Sequence, residues 1–279
     1  MHPALLPPDA GLGRAWRAAM SANPPLGKRR SRRHFLGLVL VCTSLWASSA
    51  QAACRQALAL GLDISGSVDG REYRLQLDGL AAAITAPAIR KALLALTDQP
   101  VAIAIYEWSG QHHQILIQDW RLIRAASDLD AVAITLRNHT RTAAPEETAL
   151  GAALIFGASL LASAPACARQ TLDISGDGQN NIGPPPQSET VAQALSRVTV
   201  NALVIGSDNA GGEDMRQVDI AELSAYFRRN VIRGPGSFIQ VAIGYEDYED
   251  AMARKLLRET RPMIIGHATS GPQVRLPSK

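Results

Sequence analysis

Apolar residues gather in six short runs between residues 57 and 244: ALALGLDIS (57–65), VAIAIYEW (101–108), QILIQ (114–118), RQTLDIS (169–175), VNALVIG (200–206) and FIQVAIG (238–244). Several are apolar almost throughout, as strands covered on both faces should be. Between the runs the apolar positions shift to a helical period. Tyr73, Leu77, Leu80 and Ile84 place one stripe on a helix over 69–86, and Leu150, Leu154, Ala158 and Leu161 do the same over 148–163. Met215, Val218, Leu223 and Phe227 form a third stripe, and Tyr248, Met252 and Leu256 a fourth. Ser188, followed by Glu189 and Thr190, predicts one more helix start. Only SGQHH separates the second and third runs, so these are expected to form a hairpin with an antiparallel edge strand. The pattern predicts an α/β protein with a doubly wound, mostly parallel six-stranded sheet.

The pentapeptide LDISG occurs twice, with its aspartates at Asp63 and Asp173. The flanking residues do not match, which argues against a duplicated module. Ligands of open α/β sheets sit beyond the carboxyl ends of the strands, where the first copy leads. Asp63, Ser65 and Ser67 follow one another as D-x-S-x-S, a spacing that lets a tight turn aim one carboxylate and two hydroxyls at a single point. Oxygen donors of this kind suit a hard cation such as Mg²⁺. One carboxylate is little charge for such an ion, so a second acid is expected from a neighbouring strand. The second copy, DISGDGQNN, does not read as an EF-hand loop, because its twelfth position is Pro184 rather than a glutamate. Asp173 is expected to be a strand residue with a structural hydrogen-bonding role.

Three elements together resemble the metal-ion-dependent adhesion site of the von Willebrand factor A family. They are the D-x-S-x-S of Asp63, Ser65 and Ser67, the T-x-x-G-x-x-L beginning at Thr148, which is expected to open a helix, and Asp177-Gly178 after the fourth run. The resemblance covers nearly the whole chain beyond residue 52. The DxSGS and SGDGxNN signatures are similar to those of secreted bacterial single-domain members of DUF1194 type. It implies that Asp63, Ser65, Ser67, Thr148 and Asp177 hold Mg²⁺ (or Mn²⁺ or Ca²⁺), some of them through water. An open coordination position would then accept an acidic group from a protein partner. One departure stands out: Glu146 and Glu147 precede the threonine, where glycines are commoner. A carboxylate there would either occupy the open position or repel an acidic ligand.

Two other classes stay open, an assembly protein whose metal only stiffens the loops and a metal-dependent hydrolase. No G-x-S-x-G elbow surrounds Ser65 or Ser67, and SGSVDG lacks the lysine of a phosphate-binding loop, so catalysis is not expected. His112 and His113 are expected to be exposed turn residues. The family resemblance also makes the two LDISG strands neighbours at the sheet centre. Cys54 and Cys167, each just ahead of one of them, are then expected to form a disulfide at the amino-terminal edge, with two free thiols as the alternative.

Charge and length add the compartment. The chain has 279 residues, with 28 Lys and Arg against 25 Asp and Glu. Residues 1–52 hold seven of the basic residues and one acid, Asp9, so the remainder is mildly acidic and unlike a nucleic-acid binder. KRRSRRHFLGLVLVCTSLWASSAQA has a basic stretch, an apolar stretch and a small-x-small end at Ala50-Gln51-Ala52, the plan of an export signal. Ser31-Arg32-Arg33-His34-Phe35-Leu36 resembles a twin-arginine signal; a general secretory signal or a retained anchor are the alternatives. The apolar stretch is short and serine-diluted for a membrane span. The expected organisation is therefore an N-terminal extension and export signal over 1–52, one domain over 53–266 and a loose tail over 267–279, in a periplasmic or secreted protein without a stable membrane span. Cys54 directly follows AQAA, so a lipid-anchored cysteine is also weighed, but Gln51 fits that signal poorly.

Overall fold

The computed structural model describes residues 54–206 and 213–260. The expected export signal and the loose tail lie outside the described residues. Six strands form one sheet: β1 (Gln56–Asp63), β2 (Val101–Trp108), β3 (Gln114–Ile123), β4 (Gln170–Gly176), β5 (Thr199–Ile205) and β6 (Ile239–Ala242). Their spatial order is β3-β2-β1-β4-β5-β6, and only the β2–β3 pairing is antiparallel. The expected doubly wound sheet with an antiparallel edge strand is thus present. β1 and β2 are buried along their entire length, as their unbroken apolar character requires.

Helices cover both faces. Leu58, Leu60 and Leu62 point to the side covered by α1 (Gly70–Thr85), α3 (Ala126–Asn138) and α7 (Tyr248–Thr260). Ala57 and Ala59, with Leu172 and Ile174 of β4, face α4 (Leu150–Ala162), α5 (Glu189–Ala194) and α6 (Glu213–Asn230). α2 (Pro87–Leu93) completes the set of longer helices among the described residues. α1 starts from a reciprocal cap. The Asp69 carboxylate accepts the N–H groups of Arg71 and Glu72 at 2.7 and 2.8 Å, while Glu72 accepts the N–H of Asp69 at 2.7 Å. This cap fixes where the helix begins, and hence how the Ile64–Val68 turn leaves β1.

Some expectations need correction. Val218 does not join an apolar stripe: it is 57% exposed, because among the described side chains α6 packs through its second half, where Phe227 is buried and Leu223 and Tyr226 are partly so. The fourth helix starts at Leu150 rather than at Thr148, since Ala149 takes the cap position with a ψ of 62°. β3 runs on to Ile123 instead of stopping at 118, because Trp120 reaches over to donate its indole N–H to the Leu160 carbonyl at 3.1 Å. His113 is half-buried and its Nε2 is buried without a hydrogen-bond partner, whereas His112 is exposed as expected.

Candidate metal centre

β1 and β4 are neighbours and parallel, so both deliver their carboxyl ends to the same edge of the sheet. Beyond that edge the chain turns sharply. The N–H of Ser65 donates to Asp63 Oδ1 at 2.8 Å, which folds the turn back over the aspartate. Gln76 of α1 donates to the Asp63 carbonyl at 2.9 Å. Arg141 braces the turn from outside, donating to the carbonyls of Val68 and Ile64 at 2.6 and 2.9 Å. The result is a rigid floor: Asp63 and Ser65 are both fully buried, and Ser67 is exposed at the mouth.

The second carboxylate comes from the end of β4. Ser67 donates to Asp177 Oδ1 at 2.6 Å, and Tyr245 donates to Asp177 Oδ2 at 3.3 Å. The Ser65 and Ser67 hydroxyls lie 3.3 Å apart. Thr148 closes the wall beside Gly178: a Cβ at that glycine would stand 3.7 Å from the Thr148 hydroxyl oxygen. A paired backbone contact holds Thr148 there. Its N–H donates to Asn181 Oδ1 at 2.9 Å, and its carbonyl accepts the Asn181 N–H at 3.0 Å. Asn180 accepts the Gly151 N–H at 3.1 Å. Gly151 is required for this clasp, because a Cβ there would come within 1.8 Å of the Pro184 carbonyl oxygen.

All five expected residues therefore lie together beyond the carboxyl ends of β1 and β4, with further groups that sequence reasoning did not single out: Arg141, Gln76, Asn180, Asn181 and Tyr245. Glu146 and Glu147 behave differently. Both are exposed, and the nearest contact to the site is through the backbone, the Gly66 N–H donating to the Glu146 carbonyl at 3.0 Å. The Glu147 carboxylate lies toward Gly110. Neither acid is among the charges that act on Asp63 or Asp177.

The electrostatics identify what is missing from a site made of protein alone. Burial, reinforced by the neighbouring Asp177 charge, pushes the Asp63 carboxyl well above the usual carboxylate range, with hydrogen bonding from Ser65 and then the Arg141 charge opposing. Burial also raises Asp177, against the hydrogen bonds from Ser67 and Tyr245. Asp63 Oδ2 is buried and has no hydrogen-bond partner. A buried acceptor left bare costs about 1–3 kcal/mol, more when charged, so the site is built for something positive. A hard cation fits: two carboxylates and three hydroxyls offer only oxygen, and no thiolate or imidazole competes. Among the described residues no three His, Cys, Asp or Glu side chains gather to hold a metal by themselves. An ion here therefore depends on the serine and threonine hydroxyls and on water.

At the opposite edge Cys54 and Cys167 are joined in a disulfide, their Cα atoms 4.5 Å apart across a separation of 113 residues. The bond ties the entries to β1 and β4 together, as expected from the adjacency of those strands.

No curated protein matches the sequence. Among solved structures, proximal thread matrix protein 1 from the mussel byssus is similar over 74% of this chain and 48% of its own, at 13% identity and a TM-score of 0.50. A further structure of that protein, at 14% identity and a TM-score of 0.48, covers 74% of this chain and 46% of its own and has a zinc-occupied MIDAS motif. The vWF domain of the type V pili tip protein Mfa5 from Porphyromonas gingivalis is similar over 76% of this chain and 98% of its own, at 10% identity and a TM-score of 0.48. The chain spans half or less of the first solved structures it matches. At such identities the likeness is one of fold, a mostly parallel six-stranded sheet flanked by helices. Residues 53–264 match the family model of a protein of unknown function, DUF1194, and the chain belongs to that family.

Proposed function

We propose that this chain is an exported protein-binding domain that works through a divalent metal. Asp63, Ser65, Ser67, Thr148 and Asp177 would hold Mg²⁺, or Mn²⁺ or Ca²⁺, partly through water. The observation that carries the reading is the bare, buried Asp63 Oδ2 beneath a rim of hydroxyl oxygens. The ion would supply one electrophilic position, and the residues of this chain do the rest. Asp63 and Asp177 provide charge, the hydroxyls of Ser65, Ser67 and Thr148 orient without adding charge, and the exposed mouth at Ser67 leaves room for an outside ligand. The three hydroxyls add no charge and part of the shell would be water, so an exchangeable position would remain for an outside carboxylate. An acidic side chain on a partner protein fits it. Glu146 and Glu147, both exposed, would act on the approach of that partner and not as ligands.

Residues 1–52 would direct export, through a twin-arginine or general secretory signal, leaving residues 53–266 as the working domain and 267–279 as a tail. No helix among the described residues is long and apolar enough to cross a membrane.

Isothermal titration of the metal-stripped protein with Mg²⁺ tests the site. Saturable binding by the wild type and its loss in Asp63→Ala are expected; equal affinity in both would end the assignment. Binding to an acidic-peptide array should disappear with EDTA. Persistence without metal would favour the assembly reading, and turnover in a phosphatase and esterase screen, lost in Asp63→Ala, the hydrolase.

A further inference from the structure

A cavity of about 820 Å³ opens at the amino-terminal edge of the sheet, the end away from Asp63. It is bounded by the entries to β4, β5 and β6 and by the last turn of α7. Its volume falls in the range of small-molecule sites, about 300–1,000 Å³. Three arginines line it: Arg169, Arg197 and Arg258. None of the three forms an ion pair with a carboxylate among the described residues. Five other arginines, 71, 74, 90, 121 and 254, do have acidic partners.

The single acid lining the cavity among the described residues is Glu259, and it is already engaged. One of its oxygens accepts from Lys255 and from Asn201, both at 2.6 Å. Its other oxygen is buried without a hydrogen-bond partner. The arginines of the cavity therefore outnumber its one carboxylate three to one, with one acceptor oxygen still unsatisfied in the wall.

The guanidinium groups are also set for recognition. Arg169 is positioned by donating to Gln56 Oε1 at 3.0 Å, and Gln56 is in turn fixed by donating to Thr171 at 3.0 Å. The Arg258 guanidinium stacks 3.8 Å over the Phe238 ring, which orients its plane and leaves its N–H edges for an in-plane acceptor. Burial holds Arg169 below its ordinary value, with Glu259 opposing, and burial followed by the Arg169 charge does the same to Arg55. Three arginines stand here against the one carboxylate of Glu259, which Lys255 already engages, and a bound anion would relieve that imbalance.

We propose that this cavity is a binding site for a small oxyanion, a phosphate or a polycarboxylate, gripped by Arg169, Arg197 and Arg258. A hydroxyl on such a ligand, or a protonated phosphate oxygen, would satisfy the free oxygen of Glu259. Residues 261–279 carry Arg261, Arg275 and Lys279 and no acid, so their charge is the wrong sign for this cavity. The site is separate from the metal centre and does not rest on the function proposed for it.

The test is calorimetric titration of the full chain in metal-free buffer at constant ionic strength, with inorganic phosphate in one arm and citrate in the other. Saturable one-to-one binding is expected in at least one arm, and the arm that binds assigns the class. The double variant Arg197→Gln/Arg258→Gln should weaken that binding at least tenfold; both side chains are exposed, so the fold should survive. Asp63→Ala should bind the anion as the wild type does. No saturable heat in either arm, equal affinity in the double variant, or an equal loss in Asp63→Ala would each overturn the proposal.

Discussion

Lys255 is the most informative residue to remove. Its side chain is fully buried in α7, with Nζ 2.5 Å from Asp173 Oδ1 and 2.6 Å from Glu259 Oε1. Lys255→Met keeps the volume and deletes the cation that lies between two buried acids. Breaking a buried ion pair from one side costs about 3–5 kcal/mol. The pH dependence sharpens this figure. Burial, with Glu259 beside it and Lys255 opposing, pushes Asp173 up to about 8. A carboxyl whose folded value lies above its unfolded value stabilises the fold in acid and loses that contribution as pH rises through the folded value. In the wild type that loss is therefore spread between about pH 4 and 8. Without Lys255 the carboxyl should hold its proton further into alkali, and the variant should keep losing roughly 1.4 kcal/mol per pH unit above 8. Urea unfolding of both proteins at pH 6 and pH 9 measures this. We expect a loss of about 3 kcal/mol at pH 6, growing to roughly 4.5 kcal/mol at pH 9. Adding Asp173→Leu should recover the part of the loss that grows between pH 8 and pH 9, since it removes the group that is forced to ionise there. A loss under about 1 kcal/mol, or the same loss at both pH values, would refute the reasoning.

Three further outcomes follow from the same geometry. Because burial raises both Asp63 and Asp177, the metal-free domain should weaken as pH rises from the usual carboxylate range toward neutrality; Mg²⁺ at a hundred times its Kd should add about 2.7 kcal/mol, a Tm gain of roughly 5–10 °C that fades in acid, and scanning calorimetry showing the same gain at pH 5 and pH 8 would contradict the site. Gly151→Ala puts a Cβ against the Pro184 carbonyl, so the 178–188 loop must lift; we expect a loss of about 1–3 kcal/mol and weaker Mg²⁺ binding, and unchanged titration heats would show that the clasp on Thr148 is dispensable. Replacing Cys54 and Cys167 together by Ser should cost about 2–5 kcal/mol of stability while leaving metal affinity unchanged, since the bond lies at the far edge of the sheet; denaturant unfolding and titration on the same sample separate the two effects.

Much of this arrangement was legible because strands buried on both faces leave few polar positions. Asp63 stands at the end of one such run, so its polarity had to be local or functional. The supports of the site were not legible in the same way. Asn180 and Asn181 lie in a loop whose course depends on Gly151 allowing Pro184 close to α4, a contact without any periodicity. Arg141 sits between α3 and α4 and binds carbonyls, which leave no trace in residue type. α2 is seven residues long and too short to show a stripe. Lys255 and Glu259 did carry a signal. They fall on the buried side of the Tyr248–Met252–Leu256 stripe, but a lysine and glutamate four apart read most simply as a solvated surface pair. The oxyanion cavity escaped because its arginines come from three distant segments.

The two LDISG pentapeptides show how register, and not sequence identity, assigns chemistry. Leu60 of β1 lies opposite Asp173 of β4, and Gly61 opposite Ile174. The copies are therefore staggered by three residues, which puts Asp63 level with Gly176. A stagger of an odd number also exchanges faces, because side chains alternate along a strand. Asp173 consequently shares its face with Leu60 and meets Lys255 of α7, deep in the sheet. Asp63 instead reaches the sheet edge, where Gly176 beside it has no side chain: a Cβ there would stand 3.2 Å from Asp63 Oδ2. The same glycine that ends the second pentapeptide thus leaves the first aspartate's outer oxygen bare, and Asp177 follows at once to bring the second charge. One aspartate is neutralised by the protein and stabilises the fold. The other is the one proposed here to meet a cation, and only the three-residue offset decides which is which.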